Sequence, residues 1–483
     1  MRRTKIVCTI GPATSSEQQL EQLMRAGMNV ARLNFSHGTH EEHALVIERI
    51  RNISVRLGCA IAILQDLQGP KIRTGVLKDK KPVILEDNSQ VVITTRDVLG
   101  TSEIISTTYQ QLPQDVKSGD RILLNDGLLE LSVLDKDETE VRCLVVHGGE
   151  LGAHKGINLP GVAVSSPALT EKDREDLRFG VMHGVDYVAL SFVRKPEDIL
   201  ETKQYIRELQ IEQNGEQKTN LLAIPLIAKL EKPEAIACLD DILAVVDGVM
   251  IARGDLGVEM APEKVPLIQK HVIARCNELG LPVITATQML ESMIVNPRPT
   301  RAEVNDVSNA VLDKTDLVML SAETASGAYP IEAVQMMVRI IVETEAGGRT
   351  AYPPQRQQLS QEQAVSKAAR ALSEEDSVKA IVVFTQSGTT ARLISQDRPR
   401  TPILAYTPSE RVYRQLALWW GVWPDCIEMV GFTDELMAIV GQRLVDTNLL
   451  HTGEYVVIMG GLPLGSRART NFVKLHQVKI TEE

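Results

Sequence analysis

Eight short apolar runs, each giving way to polar or charged residues, constrain this chain more than any other feature. They cover residues 5–10, 28–33, 60–66, 186–191, 222–229, 247–252, 282–286 and 316–321. Apolar runs of this kind read as strands buried on both faces of a parallel sheet. Helical-period stretches follow at 17–25, 41–56, 171–183, 196–209, 233–243, 263–279, 301–312 and 331–344. Strand–helix alternation implies right-handed crossovers and parallel strands. Eight such units in roughly 250 residues predict an α/β fold, a (β/α)8 TIM barrel. An open doubly wound sheet is the competing arrangement.

One insertion interrupts the pattern. After Asp66 a helix is due within a few residues, yet residues 74–167 are strand-like and turn-rich, with runs at 82–85, 90–95, 121–124, 128–134 and 140–146. Asn125-Asp126-Gly127 and His147-Gly148-Gly149 are turn signals between them. The expected organisation is a catalytic barrel from 1–73 and 168–346, with an inserted all-β, β-barrel-like domain at 74–167. In the third βα loop, on the catalytic face of the barrel, such an insertion serves as a lid or as mere decoration. A Gly-, Pro- and Gln-rich linker at 347–360 leads to a C-terminal α/β regulatory domain at 361–483. Within it, helices are expected at 363–372, 389–398, 410–421 and 433–446, and strands at 380–385, 403–406 and 455–460.

Composition excludes several classes. The chain has 483 residues, 43% of them hydrophobic, enough to bury several cores. A net charge of −11 argues against nucleic acid, whose phosphates need a basic surface. No apolar run reaches the 18 or so residues of a membrane helix. The N-terminal Met1-Arg2-Arg3 precedes a short apolar run that breaks at Gly11-Pro12, so it reads as a first strand and not a signal peptide. The six cysteines are scattered without a Cys-x-x-Cys pair, which suits reduced residues in a cytoplasmic protein.

Chemistry collects where the strands end. The second run delivers Arg32, Asn34, Ser36 and His37; the third Asp66, with Lys71 and Arg73 just behind. The fourth ends in Ser191, the fifth delivers Lys229 and Glu231, and the sixth Ala252-Arg253-Gly254-Asp255. The seventh brings Thr285 and Thr287, the eighth Ser321 and Glu323. Strand alternation places Lys229 with Glu231, and Arg253 with Asp255, on one side. Two carboxylates from adjacent strands, Glu231 and Asp255, can share a hard cation such as Mg2+. Arg32, Arg73 and Lys229 beside them suit a polyanion, and the set points to metal-assisted phosphoryl chemistry. An ion-pair network closing the barrel end is the plain structural alternative.

Five motifs carry a resemblance to the pyruvate kinases: residues 31–38 (ARLNFSHG), 227–235 (IAKLEKPEA), 250–257 (MIARGDLG), 285–293 (TATQMLESM) and 320–324 (LSAET). The similarity runs the whole chain, in family order, without the N-terminal extension of some animal members. It implies transfer of the phosphoryl group of phosphoenolpyruvate to ADP, giving pyruvate and ATP in glycolysis. It implies Mg2+ or Mn2+ on Glu231 and Asp255, with Lys229 neutralising the phosphoryl group and the developing enolate. Thr287, or a water beside it, would lie near the protonation step. Arg32 and Arg73 would bind phosphates. Substrate contacts would fall at Arg32, Ala252, Arg253, Gly254, Asp255 and Thr287, with the backbone of Ala252 and Gly254 cradling the carboxylate. Asn34, His37, Arg73 and Lys155 would meet the nucleotide. The family is usually a homotetramer. Another barrel enzyme of phosphoenolpyruvate or oxaloacetate chemistry, or a catalytically silent sugar-phosphate sensor, are the alternatives.

Two further features belong to this stage. The loop Thr385-Gln386-Ser387-Gly388-Thr389-Thr390 follows a strand and opens a helix, so it is either an anion site or an N-cap. In the pyruvate kinases this loop receives sugar-phosphate effectors, which implies a phosphorylated regulator at Thr385, Ser387, Gly388, Thr389 and Thr390. The second feature is a departure. Many members hold potassium on the equivalents of Asn34, Ser36, Asp66 and the carbonyl of Leu67, followed by Asp-Thr-Lys-Gly-Pro-Glu. Here the segment reads Asp66-Leu67-Gln68-Gly69-Pro70-Lys71. A tethered ammonium at Lys71 resembles the potassium-independent members, so K+ is not expected to be required.

Overall fold

The fold is taken from a computed structural model. It describes residues 1–162, 164–214, 223–347, 359–428, 433–447, 449–463 and 469–478. The expected 347–360 linker and the first residue of the 222–229 strand fall largely or wholly outside them.

Eight strands close into one parallel barrel: Lys5–Ile10, Val30–Asn34, Ala62–Asp66, Tyr187–Leu190, Leu226–Leu230, Gly248–Ala252, Val283–Ala286 and Leu317–Leu320. The first pairs with the eighth, Lys5 opposite Leu317, so no edge remains and the open doubly wound sheet does not occur. Every residue of the first, fifth and sixth strands is buried, which is why they read as unbroken apolar runs. Inside the barrel, Val7, Val30, Leu64, Tyr187, Ile227, Met250, Ile284 and Met319 pack together. The outward residues, among them Ile6, Leu33, Ile63, Leu226, Val249 and Leu320, meet the helix layer.

The helices begin where the chain offers caps. Thr39, Thr170 and Thr300 each accept the N3 amide while an acidic N3 side chain returns a bond to the cap, fixing the starts of His40–Leu57, Glu171–Met182 and Arg301–Leu312. The helix expected at 233–243 is two pieces, Pro233–Ala237 and Leu239–Leu243, broken at Cys238 (φ −112°, ψ 35°). The helix expected at 410–421 stops at Leu416, and the chain turns into a strand the periodicity missed, Val422–Cys426.

Two sheets are built from the inserted segment. Six strands run in the order Ile157–Asn158, Arg121–Leu124, Leu129–Lys136, Glu140–His147, Gln90–Thr94, Ile104–Ser106, and a separate pair joins Gly149–Leu151 to Val83–Leu85. The three that the sequence pattern did not show, Ile104–Ser106, Gly149–Leu151 and Ile157–Asn158, are too brief to display alternation. The C-terminal region forms a five-stranded sheet, in order Val422–Cys426, Ile403–Thr407, Val378–Phe384, Tyr455–Gly460 and Phe472–Gln477, only the last antiparallel. Among the described residues no helix is long and apolar enough to cross a membrane, and no cysteine is paired.

Candidate active site

A buried ammonium sits at the mouth of the barrel. Lys229 lies near the end of the fifth strand, and its Nζ reaches three groups: Ser191 Oγ at 2.7 Å, Glu231 Oε1 at 2.9 Å and Asp66 Oδ1 at 3.2 Å. The Asp66 contact has ion-pair distance without hydrogen-bond alignment, which leaves Oδ1 unbonded. The other Asp66 oxygen is gripped by Arg32, Nε and Nη2 both at 2.6 Å, and Arg32 Nη1 donates to Thr9 Oγ1 at 2.9 Å. Glu231 Oε2 accepts the Phe192 amide at 2.7 Å. Parallel register makes this meeting possible, because neighbouring strands deliver their last residues to the same rim.

The electrostatics of the cluster are unbalanced. Burial by itself would lower the Lys229 pKa, but Asp66 and Glu231 overcome it and hold the ammonium above its ordinary value. Burial pushes Asp66 up, yet Lys229 and Arg32 outweigh it and keep that carboxyl below its usual range. Glu231 is raised, first by burial and then by Asp255, against the pull of Lys229. Three carboxylates (Asp66, Glu231, Asp255) thus face two cations (Arg32, Lys229). Asp255 is half-buried, and among the described residues no hydrogen bond or ion pair reaches its carboxylate. This surplus negative charge fits a divalent cation held by Glu231 and Asp255, completed by substrate oxygens and water.

The sixth strand ends differently from expectation. Arg253 and Asp255 do not alternate on an extended chain, because a short helix, Arg253–Glu259, begins directly after Ala252. The Arg253 guanidinium turns away from the cluster, bonding Asp306 Oδ1 and Thr287 O, each at 2.7 Å, and Gln269 Oε1 at 3.2 Å. It therefore braces the turn after the seventh strand. That turn is strained: Thr287 has φ 68° and Gln288 φ 55°. A β-branched residue in this region is an outlier, and such outliers concentrate at functional sites. The amide of Gly254 donates to Thr287 Oγ1 at 2.8 Å, tying Thr287 to the residues around Asp255.

The remaining expected residues divide between rim and edge. His37 is exposed, and its pKa is lowered by partial burial and then by the positive charges of Arg73, Lys71 and Arg32. Lys71 lines a groove with Asp255, Asp126, Phe192 and Lys232. Arg73 Nη1 donates to His154 O at 3.1 Å, and the Thr74 amide donates to Lys155 O, so the segment holding Lys155 is zipped to the barrel exit. Asn34 Oδ1 accepts the Ser36 amide at 3.1 Å, and the Leu67 carbonyl accepts Ser191 Oγ at 2.7 Å. Sequence reasoning gave no role to Ser191, Phe192 or Lys232. Phe192 has φ 56°, and a Cβ on Gly69 (φ 67°) would come within 2.7 Å of its ring, so close backbone approach marks the site.

The C-terminal loop lies apart from this cluster. Thr385 Oγ1 accepts the Gly388 amide at 2.9 Å, and Thr390 Oγ1 lies 2.8 Å from Thr470 Oγ1, both in buried surroundings. Ser387 and Thr389 are exposed, with their hydroxyls 2.9 Å apart.

The chain is similar to known proteins along nearly its whole length. The family profile "Pyruvate kinase, barrel domain" matches residues 1–334, and "Pyruvate kinase, alpha/beta domain" matches 363–476. The chain is 48% identical to a pyruvate kinase of Staphylococcus epidermidis and 49% identical to that of Staphylococcus haemolyticus; each match covers 99% of this chain and 81% of the relative. A crystal structure of a pyruvate kinase from Cryptosporidium parvum superposes with a TM-score of 0.90 at 37% identity, over 99% of this chain and 96% of that one.

Proposed function

The chain belongs to the pyruvate kinase family, and on that premise we propose how its own residues carry the family's reaction, transfer of the phosphoryl group of phosphoenolpyruvate to ADP to give pyruvate and ATP. It is a phosphotransferase of glycolysis. The observation that carries the residue assignment is the Lys229 cluster, an ammonium held charged between carboxylates beside a half-buried Asp255 whose carboxylate has no hydrogen bond or ion pair among the described residues.

Glu231 and Asp255 are the divalent-cation ligands, for Mg2+ or Mn2+. A cation bound there would screen the phosphoryl oxygens and the enolate oxygen as charge builds on them. Lys229 adds a fixed positive charge: at about 4 Å from a phosphoryl oxygen it contributes roughly 4 kcal/mol at an effective dielectric near 20. Arg32, locked by Asp66 and Thr9, presents a guanidinium without needing to reorganise. The backbone at Ala252 and Gly254 is read as the cradle of the substrate carboxylate, which would take over the Gly254 amide from Thr287 Oγ1, and Thr287 as the residue facing the enolate when it is protonated. Arg73, His37, Asn34 and Lys155 form the nucleotide side. Arg253 supports Thr287 and does not touch substrate.

Potassium is not required in this reading. Lys71 lines the groove that contains Asp255, and the Asn34 and Leu67 oxygens already accept hydrogen bonds. The domain limits 1–73 with 168–346, 74–167 and 361–483 are supported by the sheets, whose strands each fall within one of these ranges. The inserted region acts as a lid. A phosphorylated metabolite acts at Ser387 and Thr389, and the enzyme is a cytoplasmic homotetramer.

The test is ATP formation from phosphoenolpyruvate and ADP, with and without Mg2+ and after chelation. Asp255→Asn should lower kcat/KM by orders of magnitude. Turnover without ADP would move the chain to other enolate chemistry, and full activity of Asp255→Asn at saturating Mg2+ would refute the metal assignment.

A further inference from the structure

Glu259 has no part in the chemistry above, yet it is only 4% exposed. It ends the short helix whose first turn carries Asp255. One of its oxygens, Oε1, accepts from two directions: Lys232 Nζ at 2.6 Å and Asn158 Nδ2 at 2.8 Å. Lys232 follows Glu231 directly, and its ammonium lies 5.8 Å from the centroid of the Phe192 ring, whose backbone amide holds Glu231. Asn158 belongs to the inserted region, on a strand paired antiparallel with Arg121–Leu124. A single carboxylate oxygen therefore joins the helix bearing Asp255, the segment bearing Glu231 and the edge of the inserted sheet.

We propose that Glu259 is a positioning residue through which seating of the inserted sheet sets the affinity of Glu231 and Asp255 for a divalent cation. The proposal rests on those two residues being the cation ligands. Its physical basis is the cost of leaving a buried carboxylate short of donors. With Asn158 in place, Glu259 is satisfied and holds Lys232 away from the ligands. With the sheet unseated, Glu259 loses a donor and water reaches it, the screened Lys232 ion pair weakens, and an ammonium one residue from Glu231 is free to compete for the carboxylates. Coupling is reciprocal, so cation binding must favour the seated sheet to the same degree.

The experiment is Mn2+ titration of the full chain without substrates, read by electron paramagnetic resonance, with hydrogen exchange of residues 74–162 measured with and without Mn2+. Outer partners of metal ligands typically change metal affinity by about 10–100-fold. Asn158→Ala should weaken Mn2+ binding by about tenfold. Glu259→Gln, which keeps the shape and an acceptor for Asn158 but not the charge opposite Lys232, should weaken it at least as much. Mn2+ should slow exchange in the inserted sheet of the wild type and not of Glu259→Gln. Asp255→Asn is the control. If it abolishes Mn2+ binding while Asn158→Ala leaves the affinity unchanged, the coupling is overturned. If Asp255→Asn itself binds normally, the ligand assignment beneath it fails. Asn158→Ala sits on a short sheet edge, so the test survives if Glu259→Gln does not fold.

Discussion

Lys229 stands under opposing pulls: burial works to remove its proton, and Asp66 and Glu231 keep it. That balance ties catalysis to stability. Lys229→Met should lower kcat by on the order of 10²–10³-fold, the range for one lost electrostatic stabiliser, while KM for phosphoenolpyruvate moves far less. Steady-state kinetics checks this, and a variant with raised KM but normal kcat would make Lys229 a binding residue. The same change leaves buried Glu231 without its ammonium, while Asp66 keeps Arg32, at a cost of about 3–5 kcal/mol in folding free energy, so its melting temperature should fall too. Lys71 gives a second residue-scale prediction. It and Arg73 help hold the His37 pKa down, as positive charges near an imidazole do. Activity should be near full in potassium- and sodium-free buffer, and Lys71→Glu should create a dependence on K+. A wild type that stays inactive until K+ is added would sink this reading. The identities of Lys229, Glu231, Asp255 and Lys71 were legible from strand ends and motifs. The contacts of Ser191 and Phe192 were not, because a serine hydroxyl and a backbone amide acquire a role only through what the fold places beside them.

At the scale of elements, the least predictable pieces are short. The helix Arg253–Glu259 starts where the apolar run ends, and a strand-period reading sends Arg253 to the wrong side. The φ of 68° at Thr287 has no sequence signature, since threonine is a poor choice for that region. The surrounding bonds from Arg253 and Gly254 over-determine it. The helix Thr389–Gln396 opens on Gly388 (φ 83°) with two exposed hydroxyls, while the adjoining Thr385 and Thr390 are already bonded within the fold. Ser387→Ala with Thr389→Ala should therefore remove any response to phosphorylated metabolites and leave unstimulated turnover unchanged. The shift to look for in the phosphoenolpyruvate saturation curve corresponds to a coupling of about 1–3 kcal/mol. If no phosphorylated metabolite moves the wild-type curve, the loop is a helix start and nothing more.

At the scale of the whole molecule, the base of the barrel is joined to the helical side of the C-terminal α/β region by polar contacts. Tyr187 Oη donates to Gln415 O at 2.8 Å, Arg398 meets Asp316 at 2.8 Å, and Arg414 meets Asp186 at 3.0 Å. Lys5 is the exception in that interface. It is 2% exposed, with Val422 O at 2.6 Å and the Trp423 ring at 4.6 Å but, among the described residues, no carboxylate paired with it. Burial, aided by Arg2, lowers its pKa to about 7. The unfolded chain keeps this proton to its ordinary value near 10.5, so between about pH 7 and 10.5 the unfolded state binds more protons and stability rises with pH. Below about pH 7 the penalty is full, at about 1.4 kcal/mol per unit of separation. The melting temperature of Lys5→Met relative to wild type should then be highest near neutrality and fall as pH rises toward 10. A difference that stays flat across that range would show that Lys5 does not titrate there. The sequence by itself determined the eight strand–helix units, the inserted β region and the C-terminal α/β region, because burial on both strand faces and helical period are local patterns. It also supplied the family and the two carboxylates proposed here as cation ligands. Tertiary structure alone decided barrel closure, the turning away of Arg253, the strain at Thr287, and the joining of Asn158, Lys232 and Glu259. Each of these depends on atoms brought together from distant parts of the chain, and no local pattern records their distance.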